Sequence, residues 1–300
     1  MRISHRYLTF DRDKKLILLL DKLHIPFTEE EKSFGEGVSY YGLEFFLYED
    51  DPGFQDKLKQ IDKFDILSQV GTEFTKKEED SADWFMISTG YFGYPQPENK
   101  YFDLTYSKKN VCLLCTIGKK QVNPFRFRSE PKAKHSQFLG LNWIFDEIFV
   151  RDKVIETFDK ENVTGIRYSS PVFNKTNAPL ETIKQLHVDI VLEPGLITDN
   201  LNFEICQKPT DKAVLAFYKK NNPDYLDKKF CGQKKYNFPM RGAMTLKKEL
   251  FINKPDFVRT YEWFGSGGVS SRPILISKRV REIIFKEKLR GAFLRPIFLV

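Results

Sequence analysis

The sequence predicts a mixed α+β fold, with a small N-terminal α/β unit followed by two copies of a module that joins a cysteine-bearing turn to a strand–helix–strand stretch. Two observations predict this arrangement. Val154 and Gly165 are eleven residues apart, and so are Val280 and Gly291, within stretches of similar pattern. A cysteine and a Lys-Lys pair precede each stretch, and two landmarks in the same order indicate a duplicated module. The three expected segments are 1–99, 100–200 and 201–300.

The N-terminal segment contains helix and strand patterns. Asp11 or Asp13 can cap a helix that runs to Leu23, because leucines recur on one face at three-to-four spacing. Residues 40–48 are rich in aromatic side chains, which predicts a strand. After an Asp-Asp-Pro-Gly turn, residues 54–64 predict a short helix. A small α/β unit is therefore expected here.

A further helix and strand are predicted before the first module. Thr75 can cap a helix, and Glu78 or Glu79 can complete a capping box with it. Residues 84–87 then predict a strand, and the proline-containing stretch 91–99 predicts a loop or linker. This loop is why the boundary of the N-terminal segment is placed at its end.

Within each module the expected order is a cysteine turn, one or more strands, a helix and a final strand. In the second copy, residues 274–276 predict a strand, and Ser277 is a natural N-cap for the helix that follows. Gly291 is expected to turn the chain into the last strand, 292–300. The matching positions of the first copy are 148–150, Val154, Ile155 and Phe158.

Composition and charge limit the class of protein. Hydrophobic content of 41% and charged content of 30% are usual for a soluble globular chain, and no run approaches the roughly 20 apolar residues of a membrane span. We find no secretory signal, and four cysteines without one favour a reducing compartment, so a cytoplasmic protein is expected.

Charge is unevenly distributed along the chain. The net charge is +7, but residues 1–105 hold 13 Lys and Arg against 21 Asp and Glu, a net of −8, which leaves +15 for the remainder. This basic surplus is compatible with solvated surface charge, and it also fits an acidic protein face or nucleic acid as partner. The residues expected to contact such a partner are Lys119, Lys120, Arg126, Arg128, Lys234, Lys235 and Arg241.

The four cysteines are the best local candidates for chemistry. Cys112 and Cys115 form a C-x2-C turn of the kind that holds zinc, and Cys206 with Cys231 would complete a four-thiolate structural site. Cys231 aligns with Cys115, whereas Lys228 stands where the second module would carry its first cysteine. Metal-free buried cysteines and a thiol redox pair are the alternatives.

Two other motifs have weaker functional interpretations. The stretch 265–271 has the composition of a phosphate-binding loop but leads into a strand, so a surface loop is the better interpretation. Asp146 and Glu147 are adjacent carboxylates, and neighbouring strand residues point to opposite faces, so we expect capping or salt-bridging roles. No catalytic motif stands out, and an enzyme with a site assembled from distant residues remains one alternative function.

The C-x2-C turn ahead of a duplicated strand–helix–strand stretch resembles the double-CxxCG family. The closing stretches of the chain, 272–280, 289–291 and 295–297, are similar to the tails of that family and of related immunity proteins from polymorphic-toxin systems. The resemblance covers roughly residues 100–300. It implies a non-catalytic cytoplasmic protein that binds a cognate toxin and blocks it stoichiometrically. A nucleic-acid-binding protein with zinc-knuckle-like turns is the alternative that the basic residues favour.

Overall fold

The computed structural model describes residues 1–10, 13–34, 38–132, 135–199, 201–221 and 226–300. The mixed α+β class predicted from the sequence is confirmed. Residues 1–81 and 239–243 form one compact unit, and residues 82–238 and 244–300 form a second. None of the helices in this described part of the chain is long and apolar enough to cross a lipid bilayer.

The first unit is an antiparallel sheet with helices. Its elements are β1 (Arg2–Thr9), α1 (Lys14–Lys22), β2 (Phe27–Phe34), β3 (Val38–Tyr48), α2 (Phe54–Ile61), β4 (Leu67–Glu73) and α3 (Lys76–Ser81). The strand order is β2-β3-β1-β4. Leu16 and Leu20 of α1 are buried with Leu43 and Phe45 of β3, so the apolar face of the helix covers one face of the sheet.

Local capping signals place two helices of this unit as predicted. The Asp13 carboxylate accepts hydrogen bonds from the backbone N–H groups of Lys15 and Leu16 at the start of α1, whereas Asp11 lies outside the described residues. At α3, the Thr75 hydroxyl accepts from the Glu78 N–H while the Glu78 carboxylate accepts from the Thr75 N–H. Both caps satisfy helix donors that would otherwise lack a partner.

The second unit has more and shorter elements. Its first part contains β5 (Trp84–Thr89), α4 (Tyr101–Thr105), β6 (Arg126–Phe127), β7 (Phe138–Leu141), β8 (Ile144–Val150), α5 (Asp152–Lys160), β9 (Arg167–Ser169), β10 (Val172–Phe173) and β11 (Lys184–His187). Its second part contains β12 (Phe203–Ile205), α6 (Lys212–Asn221), β13 (Lys234–Tyr236), β14 (Thr245–Leu246), β15 (Phe257–Arg259), β16 (Ile274–Ser277), α7 (Lys278–Lys286) and β17 (Ala292–Leu299).

Two sheets of this unit have matching strand arrangements. Their orders are β7-β8-β11-β9 and β14-β17-β5-β16-β15, so one strand separates the two strands of each strand–helix–strand stretch. The register of the two sheets also matches. The residues of β8 and β9 that lie opposite one position of the middle strand β11 correspond to the residues of β16 and β17 that lie opposite one position of β5. The interval between corresponding residues is the same as that between Gly165 and Gly291. The opposed residues are Ile148, Leu186 and Tyr168 in one sheet and Ile274, Ile87 and Leu294 in the other.

The middle strands explain why the chain does not divide at the predicted boundaries. Strand β5 lies before residue 99, yet it is hydrogen-bonded between β16 and β17 near the C-terminus. Residues 239–243 in turn join the first unit, where the Thr72 hydroxyl donates to the Met240 carbonyl over 3.0 Å. The segments 1–99, 100–200 and 201–300 are therefore not separate bodies, while their origin by duplication stays a prediction.

Two glycines allow the turns after helices α5 and α7 to pack closely against neighbouring strands. Gly165 and Gly291 have φ of +85° and +98°, a region that side chains disfavour. A Cβ on Gly165 would strike the carbonyl oxygen of Phe257 in β15, and one on Gly291 would strike that of Phe138 in β7. Phe138 and Phe257 are fully buried in one core cluster with Val154 of α5. The turn after each helix therefore packs on an edge strand of the other sheet, β15 for Gly165 and β7 for Gly291.

Candidate metal centre and its surroundings

The four cysteines lie together in the second unit. The Sγ atoms of Cys112, Cys115, Cys206 and Cys231 are all within 4.8 Å of one another, and all four thiols are free. Sγ–Sγ distances are 3.7 Å for Cys112 and Cys206 and 3.6 Å for Cys115 and Cys231. A tetrahedral zinc site with Zn–S bonds of about 2.3 Å has sulfur atoms about 3.8 Å apart. The arrangement therefore fits one tetrahedral thiolate-bound metal ion.

The C-x2-C turn presents its two thiols through tight backbone geometry. The Thr116 N–H donates to the Cys112 carbonyl over 2.8 Å, and the Cys112 N–H donates to the Ile117 carbonyl over 2.9 Å. Gly118 has φ of +85°, and a Cβ there would strike the Asn110 carbonyl oxygen. Glycine is therefore required three residues after Cys115 for the turn to close.

Backbone amides surround the sulfur atoms of this turn. Burial alone would raise the pKa of the Cys112 thiol, but hydrogen bonds from the Cys115 and Leu114 N–H groups outweigh it and bring the pKa to about 7. Burial raises the pKa of Cys115 and of Cys206. A bound cation deprotonates the thiols that coordinate it. Zinc would therefore convert Cys115 and Cys206 to thiolates, although burial alone favours their neutral form.

Two antiparallel strands joined by a long connection, β12 and β13, supply the other two thiols, and we call this pair the hairpin. Cys206 follows β12 and Cys231 precedes β13, and these strands pair with Phe203 opposite Tyr236. The Cys206 N–H donates to the Gln233 carbonyl over 3.0 Å, and the Gly232 N–H donates to the Cys206 carbonyl over 2.9 Å. Cys206 thus supplies the thiol that a second C-x2-C turn would have carried at position 228. The spacing of residues around Cys231 does not indicate this partner, because Cys206 is distant in sequence.

The glycine-rich loop 265–271 joins the two halves of the cysteine cluster. The Thr116 and Ser270 hydroxyl oxygens are 3.2 Å apart, and the Ser270 N–H donates to the Thr116 hydroxyl over 2.9 Å. The buried Lys235 ammonium donates to the Gly267 carbonyl, and the Gly267 N–H donates to the carboxylate of Glu204 on β12. This loop therefore has a packing role next to the thiols.

The seven basic residues predicted to face a partner do not share one environment. Lys119 and Lys235 are buried, and the Lys119 Nζ lies 2.9 Å from the Asp146 carboxylate. Arg241 belongs to the first unit, where it forms an ion pair with Glu49. Exposed positions are held by Lys120, Arg128 and Lys234, and Arg126 donates to Asn177. Four of the seven side chains are thus exposed, those of Lys120, Arg128, Lys234 and Arg241, and the last of these is held in its ion pair with Glu49.

The adjacent acids Asp146 and Glu147 line the same cavity, although alternation of side chains along a strand places neighbours on opposite faces. Both form salt bridges, as expected, but both line one cavity of about 270 Å³. Arg259 contacts the two of them, with Nη1 donating to the Asp146 carbonyl over 2.6 Å and Nη2 to the Glu147 carboxylate over 3.1 Å. The long Arg259 side chain lies across the strand and joins groups that alternation separates.

An exposed aromatic cluster lies in the same unit, and we call it the aromatic patch. Its members are Tyr91, Phe92, Tyr94, Trp143 and Phe145, each between 39% and 46% exposed. Ring centroids are 4.6 Å apart for Tyr94 and Trp143 and 5.8 Å apart for Tyr91 and Phe145. The first three lie in the stretch 91–99, which the sequence predicts only as a loop or linker, because exposure of aromatic side chains leaves no local pattern.

Comparison with known proteins gave no match, either to a protein-family model or to a curated protein. The functional interpretation therefore depends on the chemistry of the second unit. Four thiols are arranged for one metal ion, a polar cavity contains buried charges, and aromatic side chains are exposed as a group.

Proposed function

We propose that this chain is a non-catalytic, cytoplasmic protein-binding protein that captures its partner through the aromatic patch. The observation that carries the proposal is the exposure of five large aromatic side chains, four of which form two ring pairs, Tyr91 with Phe145 and Tyr94 with Trp143. Contiguous exposed apolar groups mark interaction sites, and Trp and Tyr are enriched among residues that dominate binding energy. Burial of this patch by a partner would remove the cost of leaving it in water.

The backbone at Trp143 supports a binding role for the patch. Trp143 lies in the two-residue turn between β7 and β8, and its φ is +69°. A bulky residue in this left-handed region costs on the order of 1–3 kcal/mol. Contacts of its ring with Tyr94 and Tyr101 hold it in place at the surface, where Gly or Asn would satisfy the turn with less strain. An exposed Trp at this position of the turn favours a role in recognition over a role in folding.

The partner that best fits this proposal is a toxin, and the protein would act as its immunity protein. The resemblance of the C-terminal stretches to immunity proteins supports this identity. The net charge of +15 on residues 106–300 supports a toxin with an acidic contact face, because complementary charge steers association. A zinc ion on the four thiols would have a structural role in this protein, since four protein ligands leave no open position for substrate.

The proposed function is tested by capture of the partner from the native cell. Purified protein is expected to retain one stoichiometric partner, and a Trp143→Ala/Phe145→Ala double variant is expected to weaken that complex at least about a hundredfold, because two aromatic anchors are lost. Phe285→Ala is the matched control, since Phe285 is 60% exposed on α7 and lies outside the patch. Equal capture by the double variant and the control would contradict the assignment of the patch.

A further inference from the structure

The cavity beside Asp146 and Glu147, here called the polar cavity, has an unusual concentration of charge. Its volume is about 270 Å³, small beside pockets for drug-sized ligands. Five cationic side chains and three carboxylates line it, so it carries two excess positive charges. The cations are Lys119, Lys120, Arg167, Arg259 and Arg272, and the carboxylates are Asp146, Glu147 and Asp189.

The two buried acids of the polar cavity are already satisfied by protein groups. Asp146 accepts from the Lys119 ammonium over 2.9 Å and from the Arg272 backbone N–H over 3.3 Å. Glu147 accepts from Arg259 over 3.1 Å and from the Gln185 amide over 2.9 Å. All four carboxylate oxygens therefore have a donor, and the remaining donors of the cavity are not needed to neutralise them.

Two donors that line the polar cavity have no hydrogen-bond partner within the described protein. The Tyr106 side chain is 3% exposed, and its hydroxyl is buried without a partner. The Arg272 Nε is likewise buried and unpartnered, while the guanidinium lies 4.4 Å over the Trp263 ring. Buried polar groups of this kind are rare because each costs free energy, and they call for an explanation.

We propose that the polar cavity binds a compact oxyanion, the carboxylate or phosphate group of a small ligand, between the Tyr106 hydroxyl and the Arg272 guanidinium. Arginine and hydroxyl donors are the groups that recognise such anions, and the excess positive charge attracts them. Burial raises the pKa of Tyr106 well above its usual range, so the hydroxyl keeps the proton that it would donate. The cation–π contact with the Trp263 ring helps to fix the position of the guanidinium.

This site is separate from the aromatic patch and from the cysteine cluster. None of the residues that line the polar cavity belongs to either of them. Anion binding in the polar cavity is therefore independent of partner capture by the aromatic patch.

The experiment is calorimetric titration of the full-length protein with inorganic phosphate and, separately, with succinate. One anion per chain is expected to bind with a dissociation constant below millimolar, and the two arms distinguish phosphate from carboxylate. Tyr106→Phe is expected to weaken binding at least about tenfold, because it removes a hydrogen bond to a charged ligand. Arg272→Gln is expected to weaken it further, since it also removes a charge.

The matched control is Tyr168→Phe. The Tyr168 hydroxyl is also buried without a partner, but Tyr168 packs against the main core cluster and does not line the polar cavity. Both Phe variants keep their packing, so a purely structural role of the hydroxyls predicts identical behaviour. Absence of saturable binding by both anions at millimolar concentration, or equal affinity in the Tyr106 and Tyr168 variants, would overturn the proposal.

Discussion

His187 shows how burial sets the chemistry of a single side chain in this protein. Its Nε2 atom lies 2.6 Å from the Ser169 hydroxyl oxygen, and the ion pair between Arg167 and Asp189 is close by. Burial first, and then the Arg167 guanidinium, lower the pKa of His187 to about 4. The imidazole is therefore neutral at physiological pH and does not add to the positive charge of the polar cavity.

This environment predicts a pH dependence of stability. In the unfolded chain the histidine pKa is about 6.5, so the unfolded state binds the proton more readily than the folded state. His187 therefore contributes stability that is present above about pH 6.5 and is lost as pH falls toward 4. We expect His187→Gln to lose less free energy of unfolding than the wild type between about pH 7 and 5, as measured by urea denaturation. His135→Gln, at an exposed position, should follow the wild type, and a parallel fall in all three proteins would refute the prediction.

At the scale of elements, the sequence was informative where a few adjacent residues decide the structure. Asp13 and Ser277 accept hydrogen bonds from the first helical N–H groups, so α1 and α7 begin where the caps predict. The pairing of β5 was not predictable, because its partners β16 and β17 lie near the other end of the chain. Pairing at such distances depends on complementary faces and leaves no mark in local spacing.

The glycine turns after α5 and α7 give an element-scale prediction. Gly165→Ala adds a strained φ and forces the Cβ against the Phe257 carbonyl, so we expect a loss of roughly 3 kcal/mol in the free energy of unfolding. Gly267→Ala is the matched control, because its φ of +58° imposes similar strain but nothing lies within 4 Å of the added Cβ. It should cost only about 1 kcal/mol. Chemical denaturation of both variants checks the difference, and equal losses would show that the close approach is unimportant.

For the molecule as a whole, the cysteine cluster was the part of the site that the sequence predicted and the aromatic patch the part it did not. Cysteines are few enough that four of them suggest one set, whereas aromatic residues are numerous and most are buried. The cluster connects a turn near residue 115 with a hairpin beyond residue 203, and the chain between them forms the sheet β7-β8-β11-β9. A cross-link that closes a loop of this length restricts the unfolded chain strongly.

The zinc proposal therefore makes a prediction for the whole second unit. Purified protein should contain one zinc ion per chain by elemental analysis, and Cys112→Ser should lose it, because three thiolates hold the ion less tightly than four. Loss of the ion should lower the unfolding temperature by roughly 10 °C or more, since metal binding adds directly to folding free energy. Ser270→Ala is the control, as it removes a hydroxyl that contacts Thr116 but leaves all four thiols in place. Zinc retained in the serine variant would exclude Cys112 as a ligand. Wild-type protein without metal would contradict the zinc site, and hydrophobic packing and the loop 265–271 would then hold the hairpin against the turn.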